Sequence, residues 1–236
     1  MSWTRRRLIA VSLAVPVAAQ AQVKATRPIR IGIIGSGRIG SAAGELWIKA
    51  GHEVMFSSRH PEELRPMAAR LGPRARVGTV AEAAAFGPVV FLAVPYSALP
   101  AIGQEHGATL KGKVVIDASN PYPARDGPVA QEALDRGVGP TSTKYLLGVR
   151  YVRAFNPVSY ALLKSEAHRP EPKVGIPVFG DDKGAVDLAT ALVREAGFEP
   201  VTAPLNKAMA FAPDTPLYGR AHSGPTVRKY LNAWKR

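Results

Sequence analysis

Ile29-Arg30-Ile31-Gly32-Ile33-Ile34-Gly35-Ser36-Gly37-Arg38-Ile39-Gly40 decides how the rest of the chain is read. Its first six residues form a short run rich in β-branched side chains, as a strand buried on both faces should be, and a G-x-G-x-x-G turn follows at once. In that setting Gly35 permits the tight turn, Gly37 lets the backbone approach a pyrophosphate, and Gly40 lets the new helix lie close to the sheet. The pyrophosphate would rest on the helix N-terminus, where unpaired N–H groups and the positive dipole end favour an anion. Glycines also collect in ordinary turns. Here strand and helix flank the motif on both sides, so Gly35, Ser36, Gly37, Arg38, Ile39 and Gly40 read as a dinucleotide-phosphate cradle.

Working outward, Ile39 to Ala50 carries small and apolar residues at helical spacing and stops at Gly51, and Glu53 to Phe56 reads as the second strand. An acidic residue at the end of that strand would grip ribose hydroxyls and repel a 2′-phosphate. The chain has Ser57, Ser58 and Arg59 there instead, two hydroxyls and a guanidinium suited to a phosphate, which points to NADP(H). The alternative is a solvated Arg59 ahead of a helix begun at Pro61.

The alternation continues with a helix over Pro61 to Leu71, a strand over Arg74 to Val77 and a helix over Val80 to Ala85. Pro88 to Pro95 is the most apolar strand, Ser97 to Leu110 a helix, and Lys113 to Asp117 the next strand. Residues just past such strand ends line the ligand crevice, which makes Val94, Pro95, Tyr96 and Ser97 candidates for cofactor contact. Ser97 is equally an ordinary first helical turn. Asn120 can hydrogen-bond a nicotinamide amide or shape the turn before Pro121. Beyond it come a helix near Thr141 to Leu147, strands over Tyr151 to Phe155, Val174 to Phe179 and Glu199 to Thr202, and a helix over Lys183 to Ala196 that Asp181 and Asp182 would cap. These segments extend the sheet. The expected architecture is α/β, a doubly wound, mostly parallel, Rossmann-like sheet over residues 28–203 with a small C-terminal extension, followed by a basic tail over 204–236.

The formal charge of +13 is spread along the chain without the interleaved aromatics of a nucleic-acid binder, so an anionic small molecule and solvated surface account for it. The chain has no cysteine, which removes disulfides and thiolate metal sites, and its five histidines show no metal-ligand spacing, so no metal is expected. Thr4-Arg5-Arg6-Arg7 followed by an apolar stretch and Ala19-Gln20-Ala21 has the layout of a cleavable export signal over residues 1–21. Its paired arginines resemble a twin-arginine signal, which would place the protein in the periplasm, and its apolar part is too short for a stable membrane anchor. The alternative is a disordered or wrongly assigned N-terminus and a cytoplasmic protein.

At Gly35 to Gly40, Ser58-Arg59, Val94-Pro95, Asp117-Ala118-Ser119-Asn120-Pro121, Ala154-Phe155-Asn156 and Val178 to Asp182, taken in this order, the chain resembles the NADPH:coenzyme F-420 oxidoreductase family. The resemblance runs from Ile29 to about Thr202. It implies a Rossmann domain moving hydride between NADP and the deazaflavin coenzyme F-420, with phosphates on Gly35 to Gly40, the 2′-phosphate on Ser58 and Arg59, and the nicotinamide near Val94 to Tyr96. It also implies a second redox partner near Asn120, Ala154, Phe155 and Asn156. The domain similarly looks like the reductase module of membrane-bound ferric reductases, whose partner is a flavin.

In such a site the cofactor supplies the chemistry, so no catalytic acid or base is named, and no residue at the crevice stands out as a proton donor for a carbonyl. A planar hydride acceptor fits that pattern. Tyr160 and Lys164 match the Tyr-x-x-x-Lys pair of short-chain dehydrogenases, but the glycine turn is not of that type. Hydroxyacid dehydrogenases and imine reductases need a long helical C-terminal domain where this chain has strand-like segments. An NADP-binding sensor without turnover remains the non-enzyme alternative. A homodimer is left open by the sequence.

Overall fold

The computed structural model describes residues 27–235. The export-signal reading concerns residues outside that range. Eight strands form one sheet: β1 (Arg30–Ile34), β2 (Glu53–Ser57), β3 (Ala75–Gly78), β4 (Val89–Leu92), β5 (Val114–Asp117), β6 (Arg150–Ala154), β7 (Gly175–Phe179) and β8 (Glu199–Ala203). Their order is β3-β2-β1-β4-β5-β6-β7-β8, and all pairs are parallel except β6 with β7. The chain leaves β1 on one side towards β2 and later returns to β4 on the other. The topological switch, and with it the ligand crevice of such a sheet, therefore falls between β1 and β4.

Both faces of the sheet are covered, which is why β4, β5 and β7 are buried at every residue, while the edge strands β3 and β8 keep exposed positions. On one face α1 (Arg38–Lys49) and α8 (Lys183–Glu195) bury Trp47, Leu192 and Val193 against Ile31, Ile33, Phe91 and Ile116. On the other, α3 (Val80–Phe86), α4 (Leu99–Leu110), α6 (Val138–Tyr145) and α9 (Gly224–Ala233) cover Ile34, Val90, Leu92 and Val115. His52 ties the first face at its rim. Its Nδ1 accepts from the Ile29 N–H at 3.1 Å, which leaves the proton on Nε2 for Glu195, 2.9 Å away on α8.

Several segments differ from the sequence reading, and three of them matter most here. The helix expected over Pro61 to Leu71 begins as a 3₁₀ turn, Pro61–Leu64, and becomes α2 (Arg65–Leu71) at a second proline, Pro66, whose fixed φ suits a first helical turn. Pro123–Arg136, for which the sequence reading has no element, is α5. Its breakers Gly127 and Pro128 make a kink at Gly127 (φ 58°, ψ −138°) rather than an end. The stretch after Pro204, expected as a tail, is folded: a 3₁₀ helix (Leu205–Phe211), a loop, and α9, with Phe211, Val227 and Leu231 buried. Amphipathic spacing in α9 and apolar residues scattered among Pro and Gly supply that burial, and periodicity over so short a stretch is a weak signal. Among the described residues no helix is long and apolar enough to cross a membrane.

Candidate functional site

The phosphate turn lies at the C-terminal end of β1. Gly35 has φ +94°, and a Cβ there would come within 2.5 Å of the Ala93 carbonyl oxygen. At Gly40 a Cβ would meet the Gly35 carbonyl oxygen at 2.2 Å, so helix and turn touch backbone to backbone. Gly37 is the opposite case: nothing lies within 4 Å of the position its Cβ would take. As the N-cap of α1 it offers no side-chain cap, and the first helical turn holds no acidic residue. The N–H groups of Arg38, Ile39 and Gly40, in the first turn of α1, have no intrahelical partner, and Gly37 and Arg38 are exposed. An open backbone, free donors and the dipole end fit a dinucleotide's pyrophosphate.

Ser36 serves this turn from behind. Its Oγ accepts from the Ser57 N–H at 2.9 Å, and its own N–H donates to the Ser57 carbonyl at 2.9 Å. Ser57, expected at the 2′-phosphate, is fully buried and donates its hydroxyl to the Ile33 carbonyl at 2.7 Å. It belongs to the sheet rather than to a ligand surface, because β2 continues one residue further than the sequence indicates and turns that side chain inward. Ser58 is half-buried, with Oγ accepting from the His60 N–H at 3.0 Å, and Arg59 is exposed. Beside it, exposed His60, Glu62 and Glu63 are the one group among the described residues close enough to share a cation.

From the turn a cleft of about 500 Å³ opens along the ends of β4, β5 and β6. Arg38, Ile39, Val94, Pro95, Asn120 and Asn156 line it, with Tyr160 of α7 (Tyr160–Ser165) on the near rim. The Arg38 guanidinium lies 5.1 Å over the Tyr160 ring. Three expected contacts are elsewhere. Tyr96 is fully buried under the other sheet face, with its hydroxyl 2.9 Å from Ser142 Oγ, because the 3₁₀ turn after Pro95 swings it away. Ala154 is fully buried at the end of β6 and does not line the cleft. Phe155 reaches the cleft wall, but its ring packs edge-on against Trp47 and Phe91, with centroids 5.8 Å away in each case. It holds a left-handed conformation, φ 64°, a strained state for a bulky residue that this aromatic burial offsets. Ser97 also lies off the cleft: its N–H and hydroxyl go to Asp126 Oδ1 at 3.2 and 3.1 Å.

Asn120 sits in the cleft wall with every side-chain valence used. Its Nδ2 donates to the Asn156 carbonyl at 2.8 Å and to the Tyr218 hydroxyl at 3.1 Å. Its Oδ1 accepts from Arg153 at 2.7 Å and from Asn156 Nδ2 at 3.3 Å. It therefore organises the site rather than waiting for a nicotinamide amide. Arg153, which the sequence reading passed over, is fully buried. It donates to the Ser119 carbonyl at 2.6 Å and lies 3.7 Å from Asp117, which also accepts from the Tyr151 hydroxyl at 2.7 Å and the Ser119 N–H at 2.8 Å. A charge inside an apolar strand, Tyr151-Val152-Arg153-Ala154, was the signal: it demands a buried partner, and Asp117 ends the neighbouring strand.

The other residues missed are two tyrosines. Tyr122, at the start of α5, and Tyr218, from the loop before α9, both line the cleft and hydrogen-bond through their hydroxyls. Gly219 anchors that loop by donating its N–H to the Pro157 carbonyl at 2.8 Å. Arg125 lies 4.8 Å over the Tyr122 ring and is held by Asp126 at 2.7 Å and the Asn120 carbonyl at 2.9 Å. Burial, and then the hydrogen bond shared with Tyr122, push the Tyr218 phenol well above its usual range. Two phenol hydroxyls thus stand in the cleft beside the strand ends named from the sequence. Two buried polar atoms of the cleft residues, Ser119 Oγ and Asn156 Oδ1, have no protein partner. The Asn156 amide is fixed in that sense because its Nδ2 donates to the Phe211 carbonyl at 2.8 Å.

Residues 30–121 match the model of a family described as NADP oxidoreductase, coenzyme F420-dependent. The match takes in β1 to β5 and ends at Pro121, so the Tyr122, Asn156 and Tyr218 side of the cleft lies beyond it. Among solved structures, a hypothetical protein from Sinorhizobium meliloti superposes with a TM-score of 0.67 at 24% identity, covering 83% of this chain and 95% of that one. A candidate F420-dependent NADP reductase from Arthrobacter sp. FB24 gives 0.60 at 20% identity, covering 75% and 84%. A pyrroline-5-carboxylate reductase from Coxiella burnetii gives 0.58 at 19% identity, covering 86% and 67%. At these identities the likeness is one of fold.

Proposed function

We propose that this chain is an NADP(H)-dependent oxidoreductase that moves a hydride between the nicotinamide and a planar acceptor of the deazaflavin or flavin class. One observation carries the reading: Arg38 and Ile39 belong both to the open phosphate turn and to the cleft wall, so cofactor seat and cleft are one continuous surface. The family model matched by the phosphate half supports the cofactor and the reaction type. The nicotinamide, when bound, supplies or takes the hydride. The chain's own residues do the rest. The N-terminus of α1 and Arg59 hold phosphates, Val94 and Pro95 present an apolar wall at the switch point, and the Asn120 network fixes the facing wall.

The test is NADPH oxidation followed at 340 nm with coenzyme F-420, FMN, riboflavin and a panel of small aldehydes, ketones and imines. Turnover of F-420 or flavin supports the reading. Turnover of the carbonyls or imines alone refutes the planar acceptor, and tight NADPH binding without any turnover makes the protein a sensor.

We also propose export by the twin-arginine route, from the order of Arg5, Arg6 and Ala19-Gln20-Ala21. Fractionation of cells carrying Arg5→Lys and Arg6→Lys together should find the protein retained. A mature chain still beginning at Met1 would contradict it.

A further inference from the structure

We propose that Tyr122 hands the hydride acceptor its proton, positioned by Tyr218, Asn120 and Arg153; this rests on the reading of the cleft as the acceptor site. The argument begins with a count of hydrogens. Asn120 cannot be flipped, since its Nδ2 would then face Arg153 and its Oδ1 the Asn156 carbonyl. Its Nδ2 therefore donates to the Tyr218 oxygen. Tyr218 and Tyr122 share one further hydrogen bond. Two hydroxyl protons enter that pair and one bond consumes one of them. The other has no acceptor among the described residues and belongs to the cleft. A head-to-tail chain from Arg153 through Asn120 and Tyr218 to Tyr122 polarises every link in the same direction, so the free proton is that of Tyr122.

The surrounding charges suit a donor. Burial and the paired hydroxyl raise the Tyr218 phenol, so Tyr218 stays protonated at neutral pH. Arg125, over the Tyr122 ring, and Arg153, behind Asn120, stabilise the phenolate that develops as the proton leaves. Each cation is itself tied to a carboxylate, Asp126 or Asp117, and Arg38 is the remaining charge on the cleft wall.

The acceptor class follows. It takes a hydride at an electron-poor ring atom conjugated to a nitrogen or oxygen, as in a deazaflavin or flavin ring. The acceptor gains the hydride with its electron pair from a reduced nicotinamide dinucleotide, and its π pair moves onto the heteroatom. A heteroatom–H bond forms as the Tyr122 O–H bond breaks. Tyr218 returns a proton to Tyr122 and is itself reprotonated by water at the cleft mouth.

Tyr122→Phe and Tyr218→Phe, each checked for an unchanged melting curve, test this against wild type. NADPH affinity, read by fluorescence titration, should stay within twofold, because neither hydroxyl belongs to the phosphate turn. Affinity for FMN without nicotinamide should fall about fivefold in Tyr122→Phe, the loss of one neutral hydrogen bond. With the best acceptor, kcat should fall about 100-fold while KM for NADPH is unchanged, and the rate should become first order in added imidazolium or phenol. Tyr218→Phe should lower kcat less and move the alkaline limb of the pH profile. Wild-type kcat and FMN affinity in Tyr122→Phe, with NADPH still bound, would overturn the assignment. Failure of the wild type to bind NADPH would overturn the underlying reading and the assignment with it.

Discussion

Gly37→Ala and Gly40→Ala place the same methyl group three residues apart in the phosphate turn, with opposite expected consequences. At Gly40 the methyl would lie 2.2 Å from the Gly35 carbonyl oxygen, about 1 Å inside the closest ordinary C···O approach of roughly 3.3 Å. Neither partner can yield without moving helix or turn, and overpacking of this kind costs about 1–3 kcal/mol. For a domain of this size that lowers Tm by about 2–12 °C. At Gly37 the methyl meets nothing, and the backbone, φ −71°, suits alanine, so the melting curve should match wild type. The methyl would instead occupy the path of the pyrophosphate and push it off at least one N–H. A charge-assisted hydrogen bond is worth about 1.5–3 kcal/mol, so NADPH should bind roughly 10- to 150-fold more weakly. Calorimetric titration beside differential scanning calorimetry reads both effects. Wild-type affinity in Gly37→Ala, or equal destabilisation in the two variants, would refute the assignment of the cradle.

Arg59→Asp should cut NADPH affinity about tenfold or more while leaving NADH unaffected or improved, and equal wild-type affinities for the two cofactors would remove the basis for the preference. Arg153→Met strands Asp117 in the core and should cost about 3–5 kcal/mol in urea unfolding, partly recovered by adding Asp117→Asn; a loss below about 1 kcal/mol would show that the pair is not an uncompensated burden when broken. Burial pushes the Asp126 carboxyl up, but hydrogen bonds from Arg125, the Tyr122 N–H and Ser97 outweigh it, so its folded pKa lies below the ordinary value. A depressed carboxylate adds stability that is present above its unfolded pKa of about 3.9 and is lost as the pH falls below it. Asp126→Asn should therefore be less stable at pH 7 and lose less stability than wild type on going from pH 5 to below pH 3, as measured by denaturant titration.

Where local pattern determines structure, the sequence was readable. β1 to β5, the glycine turn and the crossover helices follow from apolar runs broken by Gly and Pro, and the conformations of Gly35 and Gly40 follow from what each position must do. Direction was harder. Ser57 and Tyr96 stand next to half-buried or exposed residues at strand ends, yet one more residue of β2 and one 3₁₀ turn after Pro95 send both side chains into the interior. Asn120 was picked out by its place at a strand end, but its role as a hub depends on Arg153, Asn156 and Tyr218, which no local pattern links. Tyr218 was hidden most deeply, in a Pro- and Gly-rich stretch whose folding depends on contacts with strands far back in the chain.

That distance also sets an order of assembly. The bond pinning the phosphate turn, Ser57 N–H to Ser36 Oγ, spans 21 residues, whereas Asn120 to Tyr218 spans 98. Loop-closure entropy makes the longer link about 1.4 kcal/mol costlier to form. In a chain synthesised from its N-terminus, the glycine turn and both residues of the bond that pins it are made long before residue 218. A nucleotide on that turn would meet the second wall, with its paired hydroxyls, only once the last segment has docked. In a refolding experiment, recovery of nucleotide binding should precede recovery of turnover.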